Sequence, residues 1–213
     1  MLTDTLHEND MATTSQPVVL ASGNAGKLRE FQELLAPLGI TLTSQADHEV
    51  PEVEETGLTF VENALLKARA AALHTGRPAL ADDSGLVVDA LNGAPGIYSA
   101  RYAGGHADDA ANNRKLLDAL RDVPEGQRQA HYWCALVYLR HAEDPAPLII
   151  QCGWKGDILS LPRGEGGFGY DPLFWVAEAG LSAAEMRRAE KNRLSHRGRA
   201  VAAFIEAFKA EHA

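Results

Sequence analysis

The sequence predicts an α/β fold, a single domain whose mixed central sheet is bent into two lobes, flanked by helices, with the active-site cleft between them. Three observations carry this expectation. Short apolar runs alternate with amphipathic helical stretches through residues 18–120. Longer β-rich runs then take over at 129–140 and 148–153. No repeat or low-complexity linker separates the two parts, so both belong to one sheet.

The elements follow in order. Residues 18–21 read as a strand. Residues 24–35 read as a helix with Leu28, Phe31, Leu34 and Leu35 on one face, stopped by Pro37 and Gly39. A second strand covers 40–43, and 44–57 is an acidic, turn-rich loop holding Pro51 and Gly57. Thr59 and Glu62 have capping-box spacing and open a helix to about His74, with a stripe of Val61, Ala64, Leu65, Ala68 and Ala72. Residues 79–82 make a third strand, broken by Asp83-Ser84-Gly85. A loop at 92–96 precedes a helix over 108–120, which ends before Pro124. Strands at 129–140 and 148–153 are joined by a turn at Glu143-Asp144-Pro145, and further strands are expected at 156–161 and 172–176. A last helix starts near Ser195, with Val201, Phe204, Ile205 and Phe208 in one stripe.

Composition narrows the class. The chain has 213 residues, enough for a substantial core, and its 46% hydrophobic and 23% charged content is ordinary for a globular protein. A formal net charge of -9 argues against general affinity for nucleic acid or anionic membranes. No apolar run approaches a membrane span. Residues 1–16 are polar, carry acids and lack an apolar signal core, so they are expected to be a flexible extension to a domain over 17–213. Cys134 and Cys152 lack metal-ligand spacing and read as reduced core thiols of a cytoplasmic protein.

Five segments carry possible chemistry. Residues 18–21 lead through Ser22, Gly23, Asn24, Ala25 and Gly26 to Lys27, a strand, a glycine-bearing loop and a lysine at a helix start. That arrangement aims backbone N–H groups and an ammonium at one point, as a phosphate requires. It is not a Walker loop, because Ala21 and Leu28 stand where a glycine and a Ser or Thr are needed. Asp82-Asp83-Ser84-Gly85 closes an apolar strand, where ligand sites of α/β sheets lie, although for this motif taken alone an Asx-type turn capping the strand is the favoured reading. Adjacent strand residues point opposite ways, so only one of the two aspartates can readily face a given metal. The loop with Glu49, Glu52, Glu54 and Glu55 gains interest because Mg²⁺ needs a second carboxylate. Asn63 and Lys67 share a helix face away from the apolar stripe.

The stretch Gly164-Glu165-Gly166-Gly167-Phe168-Gly169-Tyr170-Asp171 lets backbone approach a flat ligand, on which Phe168 can stack; a plain hairpin loop is the alternative. Lys191, Arg193, His196, Arg197 and Arg199 crowd the start of the last helix, against its macrodipole, which an anionic partner would offset. Ser195 as N-cap accounts for the helix start but not for the cations.

Taken together these segments resemble the inosine triphosphate pyrophosphatase family, in particular its bacterial members that remove non-standard purine nucleotides. The matching motifs are Ser22–Lys27, Glu54–Phe60, Glu62-Asn63-Ala64 with Lys67-Ala68, Ala81–Leu86, Gly93–Tyr102, Gly166–Pro172, Glu190-Lys191 and Ser195-His196-Arg197, in the family's order from about Val18 onward. The resemblance implies Mg²⁺-dependent cleavage of dITP/ITP or XTP/dXTP to the monophosphate and pyrophosphate, by a homodimer. Carried over, Ser22, Gly23, Asn24, Ala25, Gly26 and Lys27 would hold the triphosphate, with Lys67 reaching it from its helix. Glu55 and Asp83 would hold the metal, Asp83 would be the general base, Asp82 would support it, and Ser84 would touch substrate. Phe168 would stack on the purine, Gly169, Tyr170 and Asp171 would shape its pocket, and Lys191, His196 and Arg197 would read the 6-oxygen. Ser22 departs from the Thr of many relatives but keeps the hydroxyl.

Overall fold

The computed structural model describes residues 17–23, 25–105 and 108–211. The expected extension at 1–16, and the side chain of Asn24, lie outside the described residues. The elements run β1 Val18–Leu20, α1 Ala25–Leu35, β2 Leu42–Ser44, α2 Phe60–Thr75, β3 Ala79–Val88, α3 Asp109–Ala119, β4 Gln129–Leu139, β5 Leu148–Ile158, β6 Phe174–Val176, β7 Leu181–Ser182, α4 Arg188–Leu194 and α5 His196–Glu211. The strands form one seven-stranded sheet in the order β2-β1-β3-β4-β5-β6-β7. β1 is parallel to β2 and β3, and every later pairing is antiparallel, so the sheet is mixed.

The core follows that division. At the parallel end, α1 and α5 bury Phe31, Leu35, Val201 and Phe204 against Leu20, Leu80, Leu136 and Cys134 on one face. On the other face α2 presents Ala64, Ala68, Ala71 and Ala72 to Val19, Ala79, Ala81, Ala135 and Val137. Alanine at these four buried positions lets the helix lie close to the sheet, with Phe60, Val61 and Leu65 packing at the margin. The antiparallel end holds a third cluster, in which Leu116 and Leu120 meet Leu86, Tyr132, Trp154 and Phe174. Cys134 and Cys152 are both free thiols, as expected.

The cap of α2 is as expected: Thr59 Oγ1 accepts the Glu62 N–H, and Glu62 accepts the Thr59 N–H at 2.8 Å. Other boundaries differ. β3 does not break at Asp83 but runs on to Val88, because its backbone pairs with β4 from Ala79↔Leu139 to Val88↔Ala130. That ladder overrides the turn preference of Asp-Ser-Gly. A Cβ on Gly85 would stand 2.5 Å from both the Gly96 carbonyl and the Ser99 hydroxyl, so glycine is what lets the Gly96–Arg101 turn dock on β3. The strands expected at 148–153 and 156–161 are one strand, β5, held in continuous register with β4. β7 is too short to read from sequence, and α4 buries none of its residues, so it has no apolar stripe to detect. α5 packs tightly on α4: a Cβ at Gly198 would stand 1.6 Å from the Asn192 carbonyl oxygen.

Candidate functional site

The site grows out of the alternation along β3. Asp82 and Ser84 share the face that carries Leu80 and meets α1 and α5, whereas Asp83 shares the face of Ala81 and meets α2. On the first face, Lys27 Nζ from α1 lies 2.9 Å from both Asp82 oxygens. Arg197 from α5 reaches Asp82 at 3.7 Å and Glu30 at 3.3 Å, and donates to Ser84 Oγ at 3.4 Å. On the second face, Lys67 from α2 donates to Asp83 Oδ1 at 3.0 Å and to Glu55 Oε1 at 2.8 Å. Arg101 donates to Glu55 Oε2 at 3.4 Å. The loop bearing Glu55 is pinned to the start of α2, where Asn63 Oδ1 accepts the Gly57 N–H at 2.8 Å and Glu62 accepts the Leu58 N–H.

These partners set the charge states. Burial pushes Asp82 up, but Lys27 and Arg197 more than reverse it, leaving its carboxyl far below the usual range. Burial likewise raises Glu55, and the Lys67 and Arg101 cations bring it below its usual value. Asp83 goes the other way: burial raises it, the Glu55 and Asp82 charges add to that, and Lys67 does not fully compensate. Lys67 loses basicity by burial but is held charged by Asp83, Asp82 and Glu55.

A cleft of about 590 Å³ opens between the two faces, lined by Ser22, Gly23, Lys27, Glu55, Lys67, Asp82 and Arg101 among others. Phe168–Asp171 does not line it and approaches through Arg197. Lys191 Nζ and Arg197 Cζ stand 5.1 and 5.9 Å from the Phe168 ring centroid, and that ring is 62% exposed. Lys191 pairs with Asp171, whose second contact is the Phe168 N–H at 2.9 Å. Tyr170 donates its hydroxyl to the Ser99 carbonyl at 2.8 Å. His196 stacks on Tyr132 with ring centroids 4.8 Å apart. Burial and the adjacent Arg197 and Lys191 hold it well below the ordinary imidazole value, so it is neutral.

Two readings need correcting. Three of the cations around α5 are offset by carboxylates of the chain itself, Lys191 by Asp171, Arg197 by Asp82 and Glu30, Arg199 by Glu178, while Arg193 shows no ion pair among the described residues. The cluster therefore does not by itself demand an anionic partner. Arg101, which closes the Gly96–Arg101 turn and lines the cleft, was given no role, because nothing in its spacing ties it to a carboxylate 46 residues away.

Among the described residues, Asp83 Oδ2, His196 Nδ1 and Arg197 Nε are buried without a hydrogen-bond partner. Unsatisfied buried polar atoms are costly, and these three, divided between the two faces of β3, all belong to residues the sequence predicts for the site; Asn63 Nδ2, Asn113 Oδ1 and Trp154 Nε1 are unpaired as well. The Asp82 cluster is the structural half. Asp82→Asn leaves Lys27 and the buried Arg197 without their counter-charge and is expected to cost about 3–5 kcal/mol at neutral pH, by denaturant unfolding. Because the folded-state carboxyl titrates below its ordinary 3.8, its contribution is complete above that pH and fades as pH falls further. The gap between wild type and variant should therefore close in acid; a gap independent of pH would overturn the assignment.

The Ham1 family's sequence profile matches residues 18–207. A dITP/XTP pyrophosphatase of Thioalkalivibrio sulfidiphilus is 62% identical over 189 residues, covering 89% of this chain and 96% of its own. The dITP/XTP pyrophosphatase of Escherichia coli K12 is 56% identical over 91% of this chain and 98% of its own. The solved structure of a HAM1 protein from Coxiella burnetii superposes with a TM-score of 0.87 at 49% identity, over 91% of this chain and 98% of that one. With one profile spanning nearly all of the described fold, and relatives matched over almost their full length, the chain belongs to the Ham1 family.

Proposed function

We propose that this protein hydrolyses non-standard purine nucleoside triphosphates, dITP/ITP and XTP/dXTP, to the monophosphate and pyrophosphate, and so cleanses the nucleotide pool. The substrate class is that named for its relatives. The observation that carries the chemistry is Asp83, buried with Oδ2 unpaired and joined through Lys67 to Glu55, just behind a cleft that Glu55, Lys67 and Lys27 line.

In this reading Lys27, Ser22 and the amides from Gly23 to Gly26, with Asn24, bind the phosphates from one wall, and Lys67 does so from the other. Glu55 and Asp83 fit Mg²⁺, an ion that takes one or two carboxylates and completes its shell with water and substrate phosphates. When bound, Mg²⁺ lowers the pKa of water and offsets phosphate charge. Asp83 Oδ2 takes a proton from the attacking water, a task its raised proton affinity suits. The water oxygen bonds to the α-phosphorus, the bond to the α–β bridging oxygen breaks, and that oxygen leaves with pyrophosphate.

At the other end Phe168 offers its exposed face to the purine, with Gly169, Tyr170 and Asp171 shaping the pocket and Ser84 and Arg197 bridging to the phosphates. Lys191 and Arg197 donate to the 6-oxygen, beside a neutral His196. An adenine 6-amino group would meet donors with a donor and be rejected. The same reading takes the working form to be a cytoplasmic homodimer, and sedimentation equilibrium giving a monomer would remove that part. No described helix is long and apolar enough to cross a membrane.

With Mg²⁺, ITP and XTP should be turned over to pyrophosphate far faster than ATP or GTP, and chelation should stop it; orthophosphate as product would refute the cleavage position. Asp83→Asn is expected to lower kcat by about 10²–10⁴-fold. Since the fold disfavours the ionised form of Asp83, the neutral variant should melt no lower than wild type at neutral pH. Near-normal turnover in it would overturn the base assignment.

A further inference from the structure

Gly169 lies between the exposed Phe168 ring and the buried Tyr170, at φ 63 in the left-handed region. Its two backbone groups are held by α3, far away in sequence. The Gly169 N–H donates to Asp109 Oδ2 at 2.6 Å, and its carbonyl accepts from Asn113 Nδ2 at 2.8 Å. Asp109 and Asn113 are one turn apart and so share a face of the helix. Asn113 Nδ2 also donates to the Asp109 carbonyl at 2.8 Å, which fixes its orientation.

Neither side chain is needed to build or dock α3. The helix is capped by Asp108, which accepts the Ala111 N–H at 2.9 Å. It is anchored by Leu116 in the core and by Asn112, whose side chain spans the Ala103 N–H at 2.7 Å and the Ala100 carbonyl at 3.2 Å. Asp109 and Asn113 therefore act on the Phe168–Tyr170 loop.

We propose that Asp109 and Asn113 are positioning residues for base selection, clamping the Gly169 peptide so that the Phe168 ring is held ready for a purine. The inference rests on the purine-nucleotide reading above. Without the clamp, a glycine free to take many conformations would have to be ordered by the substrate itself, weakening base binding and blurring the choice between bases. Phosphate binding should not change, since Lys27 is held by Asp82, and Lys67 by Glu55 and Asp83, none of which is Asp109 or Asn113.

The test compares inosine triphosphate with inorganic tripolyphosphate, which offers phosphates and no base. For Asp109→Ala/Asn113→Ala, KM for ITP is expected to rise about 10-fold or more with kcat little changed, from two lost hydrogen bonds. The ITP-to-GTP ratio of kcat/KM should fall, while inhibition by tripolyphosphate stays as in wild type. Asp109→Asn, which keeps an acceptor for the Gly169 N–H, should restore most of the single-site loss. Unchanged KM and selectivity, or an equal loss of tripolyphosphate affinity, would overturn the clamp. Wild-type protein that does not act on ITP would instead sink the underlying reading, and the inference with it.

Discussion

Successive residues of a strand must face opposite sides of the sheet, and β3 places two aspartates under that constraint with the core on either hand. Asp82 is turned among α1 and α5, at a depth where an isolated carboxylate would be prohibitively costly. It is tolerated because Lys27 and Arg197 converge on it. That requirement fixes where two helices must lie. The start of α1 has to bring Lys27 to the sheet, and the start of α5 has to bring Arg197, which carries His196 with it. Asp83, on the reverse face, is freed from structural duty by the same pairing.

The consequence is a division of labour between neighbours of identical chemistry. Asp82 is held ionised and satisfied, so it cannot exchange protons near neutral pH. Burial, with the charges of Glu55 and Asp82, raises the proton affinity of Asp83 above that of an ordinary carboxylate against the pull of Lys67, and one of its oxygens is unpaired. Environments that push like groups apart in proton affinity are how one fold assigns a structural acid and a reactive one. The 3-10 turn Gly96–Arg101 joins the two ends of the site: Arg101 holds Glu55, while the Ser99 carbonyl accepts from Tyr170 in the base loop.

Much of this was legible in the sequence, for identifiable reasons. The capping box at Thr59 and Glu62 and the alanine stripe of α2 are local signals, and the helix forms where they say. Asp83 follows a short apolar strand and Lys67 lies off the apolar stripe of α2, but their roles are legible only through the family resemblance of the combined motifs. The continuation of β3 past Asp83 was not legible, because Asp-Ser-Gly prefers a turn and only the β4 partner, about fifty residues on, overrides it. Arg101, Asp109 and Asn113 were invisible for the same reason: each acts through a contact with a distant segment, and no local pattern records it. The basic cluster misled in the other direction. Its density pointed to an external anion, whereas the acids that answer it come from α1, β3 and the base loop.

That internal neutralisation bears on the divalent cation. On one face of β3 the two cations Lys27 and Arg197 meet the two acids Asp82 and Glu30; on the other, Lys67 and Arg101 meet Glu55 and Asp83. The cleft itself is lined by Lys27, Lys67 and Arg101 against Glu52, Glu54, Glu55 and Asp82, so it carries no excess of positive charge, in a chain of formal net charge -9. A nucleoside triphosphate brings about four negative charges at neutral pH. Remote surface acids matter little, since screening acts over about 8 Å at physiological ionic strength, but within the cleft the imbalance is felt at contact. Lys67 cannot both neutralise Glu55 and Asp83 and serve the phosphates in full. A divalent cation taken up by those two carboxylates would relieve it of the first duty and halve the added charge. In the proposed reading such an ion would serve the electrostatics of the cleft before it served the chemistry, and the unpaired oxygen of Asp83 is one place that could receive it.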